Sequence, residues 1–147
     1  MATTTNTRRD DAGASQARAH RSPVYSVLIG LASLGVILQG VWAGAFMREG
    51  QEYGGPWLEV HDTGAKVTFV LAGLAFVASL IWLRHRIALV VATGVFFALV
   101  LGESYIGGEI GKQAWLQSVH FPLAMALLAL AVYLPVMHRR GAVPTGR

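Results

Sequence analysis

Residues 61–83 read HDTGAKVTFVLAGLAFVASLIWL, and this stretch decides the fold. Its length is close to the roughly 20 mostly apolar residues that a helix needs to cross a hydrocarbon core about 30 Å thick. Three further apolar blocks of similar length lie at 24–47, 87–105 and 119–137. Lipid offers no hydrogen-bond partner to backbone groups, and the blocks show no polar alternation, so they predict helices rather than a barrel. We therefore expect an all-α membrane protein with four transmembrane helices.

The composition of the 147-residue chain agrees with a membrane protein and excludes several kinds of chemistry. Apolar residues make up 54% of the chain, and the mean hydropathy is +0.49. The absence of cysteine excludes disulfides, iron–sulfur clusters and thiolate ligation of haem. No nucleophile triad or phosphate-binding glycine loop is present, which argues against hydrolases and nucleotide-driven enzymes. The sequence leaves open whether the protein is an enzyme.

Basic residues indicate how the helices are oriented, because short cytoplasmic segments retain Lys and Arg. Nine arginines lie before helix one, between helices two and three, or after helix four: Arg8, Arg9, Arg18, Arg21, Arg84, Arg86, Arg139, Arg140 and Arg147. We therefore predict an up-down-up-down bundle in the plasma membrane with both termini cytoplasmic. Segments 1–23 and 139–147 are predicted to be tails, the first one disordered, around a transmembrane domain at 24–138. This topology explains the net charge of +4, so we predict no nucleic-acid partner.

A Trp-Leu motif followed by a histidine occurs twice, as Trp57-Leu58-Glu59-Val60-His61 and as Trp115-Leu116-Gln117-Ser118-Val119-His120. The repeat predicts two pseudo-repeated helical hairpins, with His61 and His120 at the same end of helices two and four. Sequential helices joined by short loops are neighbours, so these two helices lie diagonally across the bundle. Paired imidazoles at one depth are what a six-coordinate haem iron requires. We predict a haem b held by His61 and His120, for electron transfer or haem handling.

Small residues are predicted to leave room for the haem. Helix two presents an inward stripe of small residues below His61: Gly64, Ala65, Thr68, Ala72, Ala75 and Ser79. Small residues at four-residue spacing also occur in helix one, as Gly40 and Gly44, and in helix three, as Gly94, Ala98 and Gly102. The same spacing is the normal device for close helix packing in membranes, and histidines beside tryptophans also anchor helix ends at the interface. The alternative is therefore a cofactor-free accessory or assembly subunit, as a homodimer or within a larger membrane complex.

Two polar side chains at membrane depth are further candidates for cofactor binding. Gln39 is predicted to bond across helices or to line the cofactor cavity. Lys66 is predicted to pair with Asp62 or Glu103, and otherwise to contact a haem propionate or relay protons. A separate pair, His85 and His138, lies at the opposite ends of the same helices. It predicts either a second haem site or basic end caps.

These residues resemble two known families. The histidines that enter helices two and four, the Gly-containing end of helix three and the Trp and acidic residues of the outer loops resemble one four-helix half of the haem A synthase fold. The segment Gln39-Gly40-Val41-Trp42-Ala43-Gly44, with His61, is similar to a family of small four-helix bacterial membrane proteins. The resemblance implies a four-helix bundle with a paired-histidine haem site. Haem A synthases have eight helices and a Glu three residues before the helix-two histidine, whereas here Glu59 stands two residues before His61. The resemblance therefore does not imply haem hydroxylation by a monomer.

Overall fold

The computed structural model describes residues 22–48 and 55–140. This part of the chain contains four long helices and no strand, and a single 3₁₀ turn at Ala114–Leu116 precedes the last helix. The helices are α1 (Pro23–Arg48), α2 (Pro56–Trp82), α3 (Ile87–Glu109) and α4 (Gln117–Arg140). Each is long and apolar enough to cross a membrane, which confirms the predicted all-helical chain with four candidate spans. The predicted disorder of the N-terminal tail falls almost wholly outside the described residues.

The helices extend beyond the apolar blocks from which they were predicted. Helix α2 begins at Pro56, five residues before His61, and Pro is tolerated there because the first backbone N–H groups of a helix have no partner within it. Helix α3 continues to Glu109 rather than ending at residue 105. Helical hydrogen bonding does not require apolar side chains, so the helices run on past the apolar segments. His61 therefore lies inside the helix, more than one turn from its start.

The four helices pack in a cycle. Helix α1 lies against α2 and α4, and α3 lies against α2 and α4, whereas no Cα atoms of the diagonal pairs approach within 8 Å in the described part of the chain. This arrangement confirms that α2 and α4, which carry His61 and His120, are diagonal partners. The fully buried large side chains of the core are Tyr25, Phe96, Ile29, Leu83, Leu89 and Leu134.

The inward stripe of α2 is confirmed, since Thr68, Ala72, Ala75 and Ser79 are all buried. Small side chains along one face allow neighbouring helices to approach closely. Thr68 also donates a hydrogen bond to the main-chain oxygen of Gly64 at 2.8 Å, so its hydroxyl is satisfied within the helix. The centre of the bundle is therefore lined by small residues on the α2 side.

The prediction that the glycines of α1 face the inside of the bundle is wrong. Gly40 and Gly44 are exposed, and a Cβ atom added at either position would meet nothing within 4 Å. The inner face of α1 follows Tyr25, Ile29, Ala32 and Val36, a spacing that leads to residue 39 instead of residue 40. One residue is a rotation of about 100° around a helix, so Gln39 turns inward and the glycines turn out. Ala98 on α3 is likewise exposed, although it was expected inside.

Candidate functional site

His61 is held by α1 through one of its two ring nitrogens. Its Nδ1 lies 3.2 Å from the main-chain oxygen of Gln39, and its ring meets Phe46 edge-on with centroids 5.3 Å apart. A carbonyl oxygen can only accept a hydrogen bond, so Nδ1 carries the proton and donates it. Nε2 of the neutral ring is then unprotonated and has its lone pair available.

His120 is held on α4 by a carboxylate of α3. Its Nδ1 lies 2.6 Å from Oε2 of Glu103, and the two side chains are 17% and 9% exposed. The oxygen lies off the direction of an N–H bond, so the contact is electrostatic and Nδ1 has no directed hydrogen bond. The ring also packs against the backbone of α3, because a Cβ on Gly107 would lie 3.3 Å from Cε1. A carboxylate beside Nδ1 favours the proton on that nitrogen and leaves Nε2 as the free donor atom.

Four buried polar atoms around these histidines lack a hydrogen-bond partner. They are both side-chain amide atoms of Gln39, Oε1 of Glu103 and Nδ1 of His120, and the only other such atom in the described residues is Oγ of Ser33. A buried polar group without a partner costs about 1–3 kcal/mol, and native proteins leave few of them. Their concentration in three residues indicates a place built for a polar partner.

We call Gln39, His61, Glu103 and His120 the His–Glu–Gln cluster, to which each helix contributes one residue. His61 lies within electrostatic range of both His120 and Glu103. No group of three or more His, Cys, Asp or Glu side chains in the described segments is arranged to hold a metal ion. The cluster is therefore unlike a site for a bare ion, whereas the iron of a b-type haem takes only two axial ligands from the protein.

Lys66 does not belong to the cluster. Its Nζ lies 2.6 Å from Oδ2 of Asp62, and the two side chains are 73% and 61% exposed. The predicted ion pair with Asp62 is confirmed, and the alternative pairing with Glu103 is wrong because Glu103 contacts His120. The position of Lys66 on the outside of α2 gives its predicted role in cofactor binding no support.

His138 lies at the other end of the bundle and is only 4% exposed. Its Nε2 lies 2.9 Å from Oγ of Ser26, and its Nδ1 lies 3.3 Å from Nη1 of Arg86. A guanidinium only donates, so Nδ1 accepts and the Nε2 proton goes to Ser26, whose hydroxyl donates in turn to the main-chain oxygen of Ser22 at 2.9 Å. Both ring nitrogens are thus engaged, and His85 is exposed in the turn after α2. Because both ring nitrogens of His138 are engaged, its contacts give no support to a second haem site.

Arg86 and two hydroxyl groups complete this end of the bundle. The guanidinium donates to the main-chain oxygens of Met137 and His138 at 2.9 and 3.0 Å, which ties the turn after α2 to the last turn of α4. The hydroxyl of Tyr25 meets Oγ1 of Thr93 at 2.8 Å, and the ring of Tyr25 packs edge-on against His138. We call Ser26, Arg86 and His138, together with Tyr25 and Thr93, the His138 network.

The pseudo-repeat is only approximate at the level of side chains. Gly107 contacts the ring of His120, whereas its repeat equivalent Gly44 is exposed with open space beside it. Counting back four residues from each glycine places Gly40 in α1 where α3 has Glu103. His61 therefore relies on a main-chain oxygen where His120 has a carboxylate.

Sequence reasoning missed the roles of Glu103 and His138, although each continues a buried stripe. Glu103 follows Thr93, Phe96 and Val100 on the inner face of α3. His138 likewise follows Leu127, Ala131 and Leu134 on α4, as the next buried position. An ionisable residue in register with an apolar stripe is the signal that identifies both as interior groups.

Comparisons of the chain with protein-family models, with curated proteins and with solved structures found no match in any of the three. The resemblance to half of the haem A synthase fold therefore stays a prediction. The function must be argued from the geometry of the cluster itself.

Proposed function

We propose that this chain is a plasma-membrane protein that binds one haem b between His61 and His120, for electron transfer or haem handling. The observation that carries the proposal is the common state of the two imidazoles. In both rings Nδ1 lies beside an oxygen of the protein and Nε2 is left for a ligand. Nδ1 of His61 donates to the main-chain oxygen of Gln39, and Nδ1 of His120 is in electrostatic contact with the carboxylate of Glu103. Histidines that bind metals almost always present their second nitrogen to such an acceptor.

The residues present fit a haem in their donor chemistry. The imidazoles of His61 and His120, on diagonal helices, would hold the haem iron, and Gly107 allows His120 to lie close to the backbone of α3. A bound haem would supply a reversible one-electron couple, and bis-histidine ligation leaves no open iron position for oxygen. This ligation favours electron transfer over oxygen chemistry. Lys112, in the loop before α4, is 72% exposed and donates a hydrogen bond to Glu109, and this contact raises the pKa of its ammonium group.

We further propose the up-down-up-down topology with both termini in the cytoplasm. Contacts between the end of one helix and the start of the next support it, as between Gln39 and His61 and between Glu103 and His120. The acidic residues of the described segments all lie toward the cluster: Glu59, Asp62, Glu103 and Glu109. The arginines of the turn at 84–86 and of the end of α4 lie at the opposite end, which is the cytoplasmic end by the positive-inside rule.

The test is a visible spectrum of the full chain purified in detergent, recorded as the dithionite-reduced minus oxidised difference. We expect a sharp reduced α-band in the wild type and its loss in His61→Ala and in His120→Ala. His85→Ala is the matched control, since His85 is exposed at the other end of α2, and it should retain the band. A wild type that stays colourless after haem reconstitution would overturn the proposal.

A second candidate is a cofactor-free accessory subunit that packs against another membrane chain. The outward position of Gly40 and Gly44 favours it, because exposed small residues four apart let a further helix approach closely. In that case Gly40→Ile would reduce the oligomer mass measured by native mass spectrometry, and Ala98→Ile, at an exposed small residue of α3, would not. An unchanged mass in both variants would contradict this candidate.

A further inference from the structure

Haem ligation alone leaves part of the His–Glu–Gln cluster without partners. Iron would engage Nε2 of the two histidines, whereas Oε1 of Glu103 and both amide atoms of Gln39 still have no hydrogen bond. The side chain of Glu103 is only 9% exposed. A carboxylate buried this deeply is costly unless it is hydrogen-bonded, so the cluster offers a second binding function.

An open groove of about 650 Å³ between α1 and α2 approaches the amide of Gln39 from the outside of the bundle, since Gly64, which lies beside that amide, lines the groove. Its walls are mostly apolar, including Leu34, Leu38, Val67 and Leu71. It faces outward, where a membrane-spanning chain meets lipid. An apolar hydrocarbon tail is therefore the kind of group that the groove accepts.

The buried amide of Gln39 lies beside a residue that lines the groove. Trp42 and Gly64 both line the groove. A Cβ on Gly64 would overlap the ring of Trp42 and would lie 2.7 Å from Nε2 of Gln39, so both α1 side chains rest on this glycine. Because residue 64 has no side chain, the indole of Trp42 and the amide of Gln39 can both lie against it at the inner wall of the groove.

The unpartnered atoms define the headgroup that would bind. Oε1 of Glu103 and Oε1 of Gln39 call for a hydroxyl donor, and Nε2 of Gln39 calls for an acceptor. The negative charge of Glu103 opposes a fatty acid or a phospholipid headgroup, because like charges in a low dielectric repel strongly. A neutral ring that carries hydroxyl groups and a hydrocarbon tail satisfies all these conditions.

We propose that the chain binds an isoprenoid quinol, with the headgroup at Gln39 and Glu103 and the tail in the groove between α1 and α2. This binding goes beyond the haem site and does not depend on it. Gln39 contacts His61 through its main-chain oxygen, so its side chain is free to serve a different ligand.

The test measures binding of a decyl-tailed benzoquinol to the full chain in lipid nanodiscs by equilibrium dialysis. Gln39→Leu removes the amide and keeps the main-chain oxygen, and we expect at least tenfold weaker binding. Val67→Trp fills the groove without touching the cluster and should have a similar effect. Val70→Trp is the matched control, because Val70 is as exposed as Val67 on the same helix but lies outside the groove, and its affinity should stay within about twofold of the wild type.

Each outcome separates the quinol site from the haem site when the difference spectrum is recorded on the same samples. Saturable binding weakened by Gln39→Leu and by Val67→Trp supports the inference, even in a chain that binds no haem. Absent binding, equal binding by all variants, or equal binding of decylbenzene, which has no ring oxygens, overturns it. A haem band that persists in Gln39→Leu while quinol binding is lost shows that the two sites are distinct. Should Gln39→Leu fail to fold, Val67→Trp alone decides the result.

Discussion

Replacing Glu103 with Gln removes the charge beside His120 and keeps the size of the side chain. In the wild type the carboxylate lies 2.6 Å from Nδ1 of His120, in an environment where it is 9% exposed. Removing a partner of this kind from a metal-binding histidine typically costs 10–100-fold in metal affinity, which is about 1.4–2.8 kcal/mol at about 1.4 kcal/mol per tenfold. Because the negative charge favours ferric over ferrous haem, we assign the loss to the oxidised state. The reduction potential should then rise by about 60–120 mV, at about 59 mV per tenfold for one electron.

The assay is a potentiometric titration of the reduced α-band for the wild type and Glu103→Gln, with haem retention measured against an excess of a haem-free globin. Glu109→Gln is the matched control, since Glu109 is the next acidic residue of α3 and pairs with Lys112 instead of a histidine. Its potential should stay at the wild-type value. An equal shift in both variants, or none in Glu103→Gln, would show that the carboxylate does not act on a haem ligand.

Three further predictions concern other contacts of the bundle. Gly107→Ala should alter the haem spectrum or potential because its Cβ would lie 3.3 Å from the ring of the proposed ligand, whereas Gly108→Ala, with open space beside it, should not. In denaturant titrations in mixed micelles, Thr93→Val should lower the free energy of unfolding by about 1–3 kcal/mol, because it leaves the buried phenol hydroxyl of Tyr25 without an acceptor. Tyr25→Phe should lower it by at most about 1 kcal/mol. Equal losses in the two variants would contradict this order. Lys66→Met should leave the haem spectrum unchanged and change the free energy of unfolding by less than about 1 kcal/mol, as for other exposed ion pairs. Loss of the α-band in this variant would show that Lys66 contributes to the haem site.

The sequence predicts the fold well because lipid reduces the choice to a few parameters. Apolar blocks of spanning length locate the helices, and short loops make sequential helices neighbours, so the diagonal relation of α2 and α4 follows without side-chain detail. Rotation of each helix is harder to predict, because nearly every side chain in a membrane helix is apolar. That is why Gly40 and Gly44 were placed inside, although the stripe from Tyr25 to Val36 leads to Gln39.

The site is predictable only as far as its histidines. Their repeated motif indicates a shared depth, but nothing in it shows that His61 would find a main-chain oxygen while His120 finds a carboxylate. The sequence suggests Glu103 only as a partner of Lys66, because helical spacing shows which residues share a face and not which side chains meet across helices. Such partners depend on the packing of two elements, and only the folded chain supplies it.

The two buried polar groups at the ends of the bundle provide an internal comparison. In the His138 network each ring nitrogen has a partner, since Nδ1 of His138 accepts from Arg86 and Nε2 donates to Ser26, whose hydroxyl donates to the main chain. In the His–Glu–Gln cluster, four buried atoms have none. The same chain thus gives partners to both ring nitrogens of a buried histidine at one end of the bundle and leaves buried polar atoms without partners at the other. Since unsatisfied groups persist where function requires them, the incomplete end is where a ligand is expected, and the complete end is expected to stabilise the bundle alone.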